Sequence, residues 1–161
     1  MSALIKQAEL NLRPMHVNDL DFVMEIENQV YKYPWTRIIF NDCLDVGYCC
    51  WVIKKGDALL AYGLMSVAVG ESHILNLCVH PDHQSKGLGT MLLVHLLQIA
   101  VERNANMTFL EVRPSNFSAI KMYVGQGFDE IGVRRNYYPA KIGREDALIL
   151  ARTVVRGDEF S

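Results

Sequence analysis

The sequence predicts an α/β fold in which helices cover both faces of a mixed, mostly antiparallel sheet. Three observations carry that prediction. An alternating run, His73-Ile74-Leu75-Asn76-Leu77-Cys78-Val79-His80, closes at Pro81 and leads into a glycine-bearing turn, Gln84-Ser85-Lys86-Gly87-Leu88-Gly89. From Thr90 to Arg103, apolar residues recur at helical spacing through Leu92, Leu93, Leu96, Leu97 and Ala100. The apolar strand Thr108 to Val112 follows that strand–helix crossover, so it should lie parallel to Ser72–Val79. A parallel pair inside such a sheet is where strands can splay. Ligands of open α/β sheets collect outside the carboxyl ends of strands at a switch point of this kind.

The remaining elements follow in order. Glu9 to Arg13 reads as a first strand closed by Pro14. Asn18 or Asp19 offers an N-cap, and Leu20, Val23, Met24, Ile26, Glu27 and Val30 mark a helix with one mainly apolar face. Pro34 breaks it within Tyr31-Lys32-Tyr33-Pro34-Trp35, and Thr36 can cap a second short helix toward Leu44. Tyr48 to Lys54 and Ala58 to Val69 read as a hairpin across Lys55-Gly56-Asp57, and Gly70-Glu71 turns the chain into Ser72–Val79. Beyond the parallel strand, Ser115-Asn116 caps a helix through Val124 that ends at Gly125-Gln126-Gly127. Phe128 to Arg134 and Asp146 to Thr153 are the last strands, and the polar stretch from Val154 reads as frayed. The expected organisation is one domain over 1–155 and a C-terminal tail over 156–161.

Composition narrows the function. The chain has 161 residues, half of them hydrophobic, which suits one well-filled core. A net charge of −2 argues against a general nucleic-acid or membrane-surface binder, although an acidic patch can still receive a basic peptide. Met1 to Leu12 carries Lys6 and Glu9 with no long apolar region, and no later run reaches a membrane span. A cytoplasmic protein is expected. Cys43, Cys49, Cys50 and Cys78 form no C-x-x-C pair, and no histidines cluster at ligand spacing, so no metal is expected. Cys78, on a central strand, reads as a small core residue.

The glycine turn carries the first chemical signal. Backbone N–H groups at the start of a helix lack intrahelical partners and face outward at the positive end of the dipole, which suits a phosphate. Glycines let the backbone approach the ligand closely. A P-loop does not fit, because Lys86 precedes the first glycine; nor does a dinucleotide fingerprint, whose third glycine falls on Leu92. The pattern [QR]-x-x-G-x-[GA] does fit, and it resembles the acetyl-CoA signature of the GCN5-related N-acetyltransferases, the GNAT superfamily. Leu110-Glu111-Val112-Arg113-Pro114-Ser115-Asn116, with Ala119, Tyr123 and Gly127-Phe128, is similar to a block of its N-terminal acetyltransferases. Arg134-Arg135-Asn136-Tyr137-Tyr138-Pro139, Glu145-Asp146-Ala147 and Tyr33-Pro34-Trp35-Thr36 look like segments of the bacterial RimI type. The resemblance runs from about residue 20 to 150, in order. It implies a three-layer α-β-α GNAT fold with acetyl-CoA as cosubstrate. It implies as acceptor the N-terminal alanine of the eighteenth small-subunit ribosomal protein, with direct transfer in a ternary complex. One departure is visible: Gln-Ser-Lys stands where that type often has Gln-Arg-Arg. Backbone groups do most of the pyrophosphate binding, so activity is still expected.

The candidate site follows from what acetyl transfer needs. The turn Gln84, Ser85, Lys86, Gly87, Leu88, Gly89 and Thr90 is expected to hold the pyrophosphate, and the backbone of Leu77, Cys78 and Val79 to pair with the pantetheine arm like an added strand. A backbone N–H near Val79 can serve as oxyanion donor. An α-amino group has a pKa of about 7.7–8, so a modest base suffices. Glu111, at a strand end, is the expected proton acceptor, directly or through a water; its structural alternative is a carboxylate paired with Arg113 or solvated at the sheet rim. Tyr123 can protonate the leaving thiolate, or it can be a core tyrosine. The resemblance implies the donor role for Tyr123 and a CoA contact for Asn116. Cys78 as an acyl-carrying nucleophile is the weaker idea, since no His stands at an obvious activating position. For the acceptor peptide, Tyr33, Trp35, Tyr137 and Tyr138 are candidate walls and Glu27 a candidate acidic contact. Other readings stay open: acetylation of other N-termini, of a lysine or of a small amine; an acetyl-CoA-binding regulatory module without turnover; or a turn that binds a nucleoside triphosphate. No partner protein, oligomeric state or direct nucleic-acid contact follows from the residues.

Overall fold

A computed structural model that describes residues 9–157 contains seven strands and four α-helices. The strands are Leu10–Pro14 (β1), Cys49–Lys55 (β2), Ala58–Ala68 (β3), Glu71–Val79 (β4), Met107–Val112 (β5), Asp129–Pro139 (β6) and Arg144–Thr153 (β7). The helices are Leu20–Val30 (α1), Arg37–Asp45 (α2), Leu88–Glu102 (α3) and Phe117–Gly125 (α4). The sheet order is β1-β2-β3-β4-β5-β7-β6. Antiparallel ladders join β1 to β2, β2 to β3, β5 to β7 and β7 to β6, while β4 and β5 are parallel. The mixed sheet and its parallel pair are those expected from the crossover logic. That ladder covers only Glu71↔Met107 to Ile74↔Leu110, after which the register ends.

The described chain packs as two units, 9–65 with 76–93 and 66–75 with 94–157. In the first, Ile53, Leu60, Ala61, Leu88 and Leu92 form a buried cluster, against which Leu77, Val79, Trp51 and Met91 pack. Side chains of successive strand residues face opposite ways. Leu77 and Val79 therefore meet the start of α3, while Asn76 and Cys78 turn to the other face, where Asn76 Nδ2 reaches Glu27 of α1 at 3.0 Å. Helices thus cover both faces of β4 within this unit.

In the second unit β5 alternates strictly. Thr108, Leu110 and Val112 are buried, and Met107, Phe109 and Glu111 are half-buried on the opposite face. Thr108 meets the buried Ser72 hydroxyl at 2.6 Å across the parallel ladder, which satisfies two polar groups that burial would otherwise penalise. Asn116 caps α4 as its sequence position suggests, its Oδ1 accepting from Ala119 N at 3.3 Å. Thr36 does the same for α2, accepting from Ile39 N.

Three expectations change. Asp19 precedes α1 but makes no side-chain cap; a 3₁₀ turn over Val17–Asp19 comes first. Its buried carboxylate accepts instead from Arg13 Nη1 and Nη2 and from His16 N, each at 2.8 Å. The strand expected to stop at Arg134 continues to Pro139, because the irregularity between Arg134 and Tyr138 is absorbed by Asn136 at φ +55°. Asparagine tolerates the left-handed region, and Asp146 Oδ1 takes up its N–H at 2.9 Å. Val154 is not frayed. It is fully buried and its N–H donates to Asn106 O at 2.8 Å. Residues 1–8, with Lys6, and the tail over 158–161 lie outside the described residues.

The Arg13 fork holds the Asp19 carboxyl below its ordinary range, against the opposing effect of burial and with help from His16 N–H. A depressed folded value means that the stabilisation is complete above the unfolded value of about 3.9 and is lost as pH falls through the lower folded value. Arg13→Ala is expected to cost about 2 kcal/mol at pH 7 in urea unfolding. The gap between the variant and the parent should narrow as pH drops below about 4.

Candidate active site

In the first unit the glycine turn is built by backbone geometry. Pro81–His83 forms a 3₁₀ turn, Gln84 Nε2 returns to Val79 O at 3.2 Å, and Ser85 and Gly87 take φ +62° and +84° before α3 begins at Leu88. A Cβ at Gly87 would meet no atom within 4 Å, so the turn leaves open space on that side. The first N–H groups of α3 lack intrahelical partners by geometry. This cradle fits a pyrophosphate. The edge of β4 that leads into it is held from behind: Tyr31 Oη donates to Leu77 O at 3.3 Å, and His80 N donates to Leu60 O at 2.7 Å.

Glu27 is placed differently from a substrate contact. It is 1 % exposed, on the inner face of α1. Oε1 accepts from Tyr62 Oη at 2.6 Å and from Asn76 Nδ2 at 3.0 Å, and Oε2 accepts from Trp35 N at 2.9 Å. The carboxylate therefore ties the aromatic loop to the strands. Trp35 leans on Phe40 at 5.2 Å, Phe40 stands edge-on to Tyr62 at 5.7 Å, and Tyr33 is exposed. Cys78 is buried, and burial pushes its thiol up to about 11, against the lowering bonds of Tyr62 and Tyr31. A thiol held that high is a poor nucleophile near neutral pH.

In the second unit Glu111 lies in a cleft of about 380 Å³ lined by Glu71, His73, Phe109, Arg134 and Ile149 among others. The register explains the cluster. His73 is opposite Phe109 on the parallel ladder, so Glu111, two residues on, points from the same face. Ile149 pairs with Glu111 on one side and with Gly132 on the other, which brings Arg134 to that face as well. His73 Nε2 and Glu111 Oε2 are 2.5 Å apart, and Arg134 Nε is 3.4 Å from Oε1. The Glu111 side chain is 9 % exposed. Burial alone would raise its pKa, but the His73 hydrogen bond, the His73 charge and Arg134 outweigh it, so the carboxyl is held below its ordinary range.

Arg113 is engaged by Glu145 and Pro139. Its Nη1 donates to Pro139 O at 2.9 Å and to Glu145 Oε2 at 3.0 Å, and its guanidinium lies over the Tyr138 ring at 4.4 Å. Ser115 Oγ and N complete the Glu145 set and, together with Arg113, hold that carboxyl below its ordinary value. Tyr137 and Tyr138 stand edge to face, centroids 4.7 Å apart, Tyr137 exposed and Tyr138 half-buried. Tyr123 is buried on α4, its ring 5.6 Å from that of Phe128. Asn116 uses its oxygen for the helix cap, while its Nδ2 is a separate donor. His73 and Arg134 were not singled out in the sequence. Their signal is positional: each sits at the strand parity that a fixed register brings beside Glu111.

Among the described residues no helix is long and apolar enough to cross a membrane, and no group of three or more His, Cys, Asp or Glu is placed to hold a metal ion.

A seven-stranded mixed sheet with a short parallel ladder, a left-handed glycine turn before a helix and a carboxylate in a cleft define an α/β protein equipped for a phosphate-bearing ligand. Residues 17–128 match the acetyltransferase (GNAT) family, and the chain belongs to it. It is 36 % identical over 137 residues to the [ribosomal protein bS18]-alanine N-acetyltransferase of Escherichia coli (strain K12), covering 85 % of this chain and 93 % of that protein. The crystal structure of the ribosomal-protein-S18-alanine N-acetyltransferase from Escherichia coli superimposes with a TM-score of 0.85 at 33 % identity, over 93 % of this chain and 97 % of that one. A Salmonella typhimurium structure described with acetyl-CoA as its cofactor shares the fold, with a TM-score of 0.76 at 17 % identity over 95 % and 98 % of the two chains.

Glu27→Ala would strand the buried Tyr62 hydroxyl, the half-buried Asn76 Nδ2 and the Trp35 N–H. Its expected cost is about 3 kcal/mol. Glu27→Gln keeps an acceptor and should cost less. Thermal unfolding of both variants checks the order, and increased proteolysis within residues 31–36 is expected for the alanine variant.

Proposed function

We propose that this chain transfers acetyl from acetyl-CoA to the N-terminal alanine of the eighteenth small-subunit ribosomal protein, in the cytoplasm, as one catalytic domain over 1–155. The observation that carries the reading is the ionised Glu111 carboxylate, 9 % exposed in its cleft, in a chain that matches an enzyme of that name along nearly its whole length. Acetyl-CoA supplies an activated thioester. Residues 84–90 hold its pyrophosphate through backbone N–H groups, the β4 backbone at Leu77, Cys78 and Val79 pairs with its pantetheine amides, and Asn116 adds a contact through Nδ2.

The chain's own groups then manage the protons. An N-terminal ammonium, ordinarily with a pKa of about 7.7–8, must lose one proton before its nitrogen can attack. Glu111 draws that proton off, through a water. Tyr123 Oη gives a proton to the departing sulfur, a step for which a phenol near pKa 10 is suited. Tyr33 and Trp35 of the first unit, and Tyr137 and Tyr138 of the second, are the aromatic side chains offered to the acceptor's first residues. Glu27 acts on the acceptor through Trp35, whose backbone it fixes.

Intact-mass measurement after incubation with acetyl-CoA should show a single acetyl addition on a peptide beginning with alanine, and none on its N-blocked, lysine-bearing counterpart. Addition to the blocked peptide instead would assign a lysine acetyltransferase. Glu111→Gln and Tyr123→Phe should each lower kcat by about 100-fold or more while CoA binding persists. Near-parental rates in both would leave an acetyl-CoA-binding module.

A further inference from the structure

The far part of the β6–β7 hairpin has no core of its own. Residues 133–146 are all exposed or half-buried, and the ladder is irregular between Arg134 and Tyr138. Apolar burial therefore does little to fix the arm that carries Tyr137 and Tyr138. Polar contacts do it instead. Within the arm, Arg144 Nε donates to Asn136 O at 2.7 Å and Nη2 to Tyr137 O at 2.9 Å. A compact clamp then joins the arm to the corner between β5 and α4. Arg113 Nη1 donates to Pro139 O at 2.9 Å and to Glu145 Oε2 at 3.0 Å, while its guanidinium lies 4.4 Å from the centre of the Tyr138 ring. Ser115 Oγ and N donate to Glu145 Oε1 at 2.8 and 3.2 Å. Ser115 precedes the Asn116 cap of α4, the helix that carries Tyr123. From Tyr138 the contacts run on to the cleft. Its ring stands 4.7 Å from that of Tyr137, over which the Arg134 guanidinium lies at 5.6 Å, and Arg134 Nε is 3.4 Å from Glu111 Oε1.

We propose that Arg113 and Glu145 are positioning residues for the acceptor: they clamp the β6–β7 arm to the start of α4, so that Tyr137 and Tyr138 present one fixed surface to the acceptor's first residues. This rests on the acetyltransferase reading above. The residue types suit the task. A guanidinium is planar and always charged, so it can engage a carboxylate at its edge while an aromatic ring stacks on its face. One side chain thus fixes the hairpin backbone at Pro139, the carboxylate of Glu145 and the ring of Tyr138. Glu145 divides its two oxygens, Oε2 toward Arg113 and Oε1 toward Ser115. Both side chains are 26 % exposed. A pair so open to water adds little to global stability. Its larger effect is to order the arm in advance, which removes an ordering cost from peptide binding. The cofactor side is insulated from the clamp. Residues 84–90 belong to the other unit, and Asn116 keeps its own cap bond to Ala119 N.

The test is steady-state kinetics on a peptide beginning with alanine, for Arg113→Gln, Glu145→Gln and the double variant. Each single variant should raise the peptide KM about tenfold, with the acetyl-CoA KM within about twofold and kcat within about threefold of the parent. The double variant should be no worse than either single one, because one clamp cannot be released twice. Arg113→Lys keeps the charge but loses the planar fork and the stacking face, so it should lie close to Arg113→Gln. Trypsin gives a readout without turnover: cleavage after Lys141 should be faster in every variant than in the parent. The thermal midpoint should fall by less than about 4 °C. A peptide KM within about twofold of the parent's in both single variants overturns the positioning role. So does an equal rise in the peptide and acetyl-CoA KM, which marks a general loss of structure. A parent that acetylates no N-terminal peptide overturns the underlying reading instead, and the clamp's role with it.

Discussion

Four residue pairs of parallel ladder fix which side chains share the candidate cleft. Between Glu71↔Met107 and Ile74↔Leu110, β4 and β5 are locked in one register, and parity does the rest. Ser72 and Thr108 turn inward and satisfy each other's hydroxyls; His73 and Glu111 turn to the cleft. A slip of one residue would exchange these faces, burying an imidazole and a carboxylate and exposing Ile74 and Leu110. The cost of that exchange pins the register. The same hydrophobic demand that builds the core therefore sets the spacing of His73 and Glu111.

Much of this frame was legible because it rests on short-range rules. The crossover from β4 through α3 to β5 implied a parallel pair, the caps at Thr36 and Asn116 act as their residue types suggest, and Glu111 stood out at a strand end. What escaped the sequence depends on distance in space. His73 and Glu111 are 38 positions apart and meet only through the register. Arg134 arrives from β6 through Ile149 of β7, three strands whose alignment no local pattern fixes. The extension of β6 past Arg134 was hidden by Asn136, whose left-handed backbone reads as a turn in sequence and works as a bulge in the sheet.

Charge at the two carboxylates shows how environment divides labour between identical groups. Glu27 is sealed in and surrounded by neutral donors, Tyr62 Oη, Asn76 Nδ2 and Trp35 N, which makes it a structural tie for the aromatic loop. A carboxylate that is 1 % exposed and accepts from three protein donors is out of reach of an incoming ammonium. Glu111 meets a titratable ring and a guanidinium instead, at the edge of open space.

The depressed pKa of Glu111 then has a mechanistic consequence. Partners that hold a carboxylate ionised also make it a poorer base, so a lone Glu111 would trade readiness for strength. His73 Nε2 at 2.5 Å and Arg134 Nε at 3.4 Å each engage one carboxylate oxygen, so the group is fixed in position as well as kept ionised.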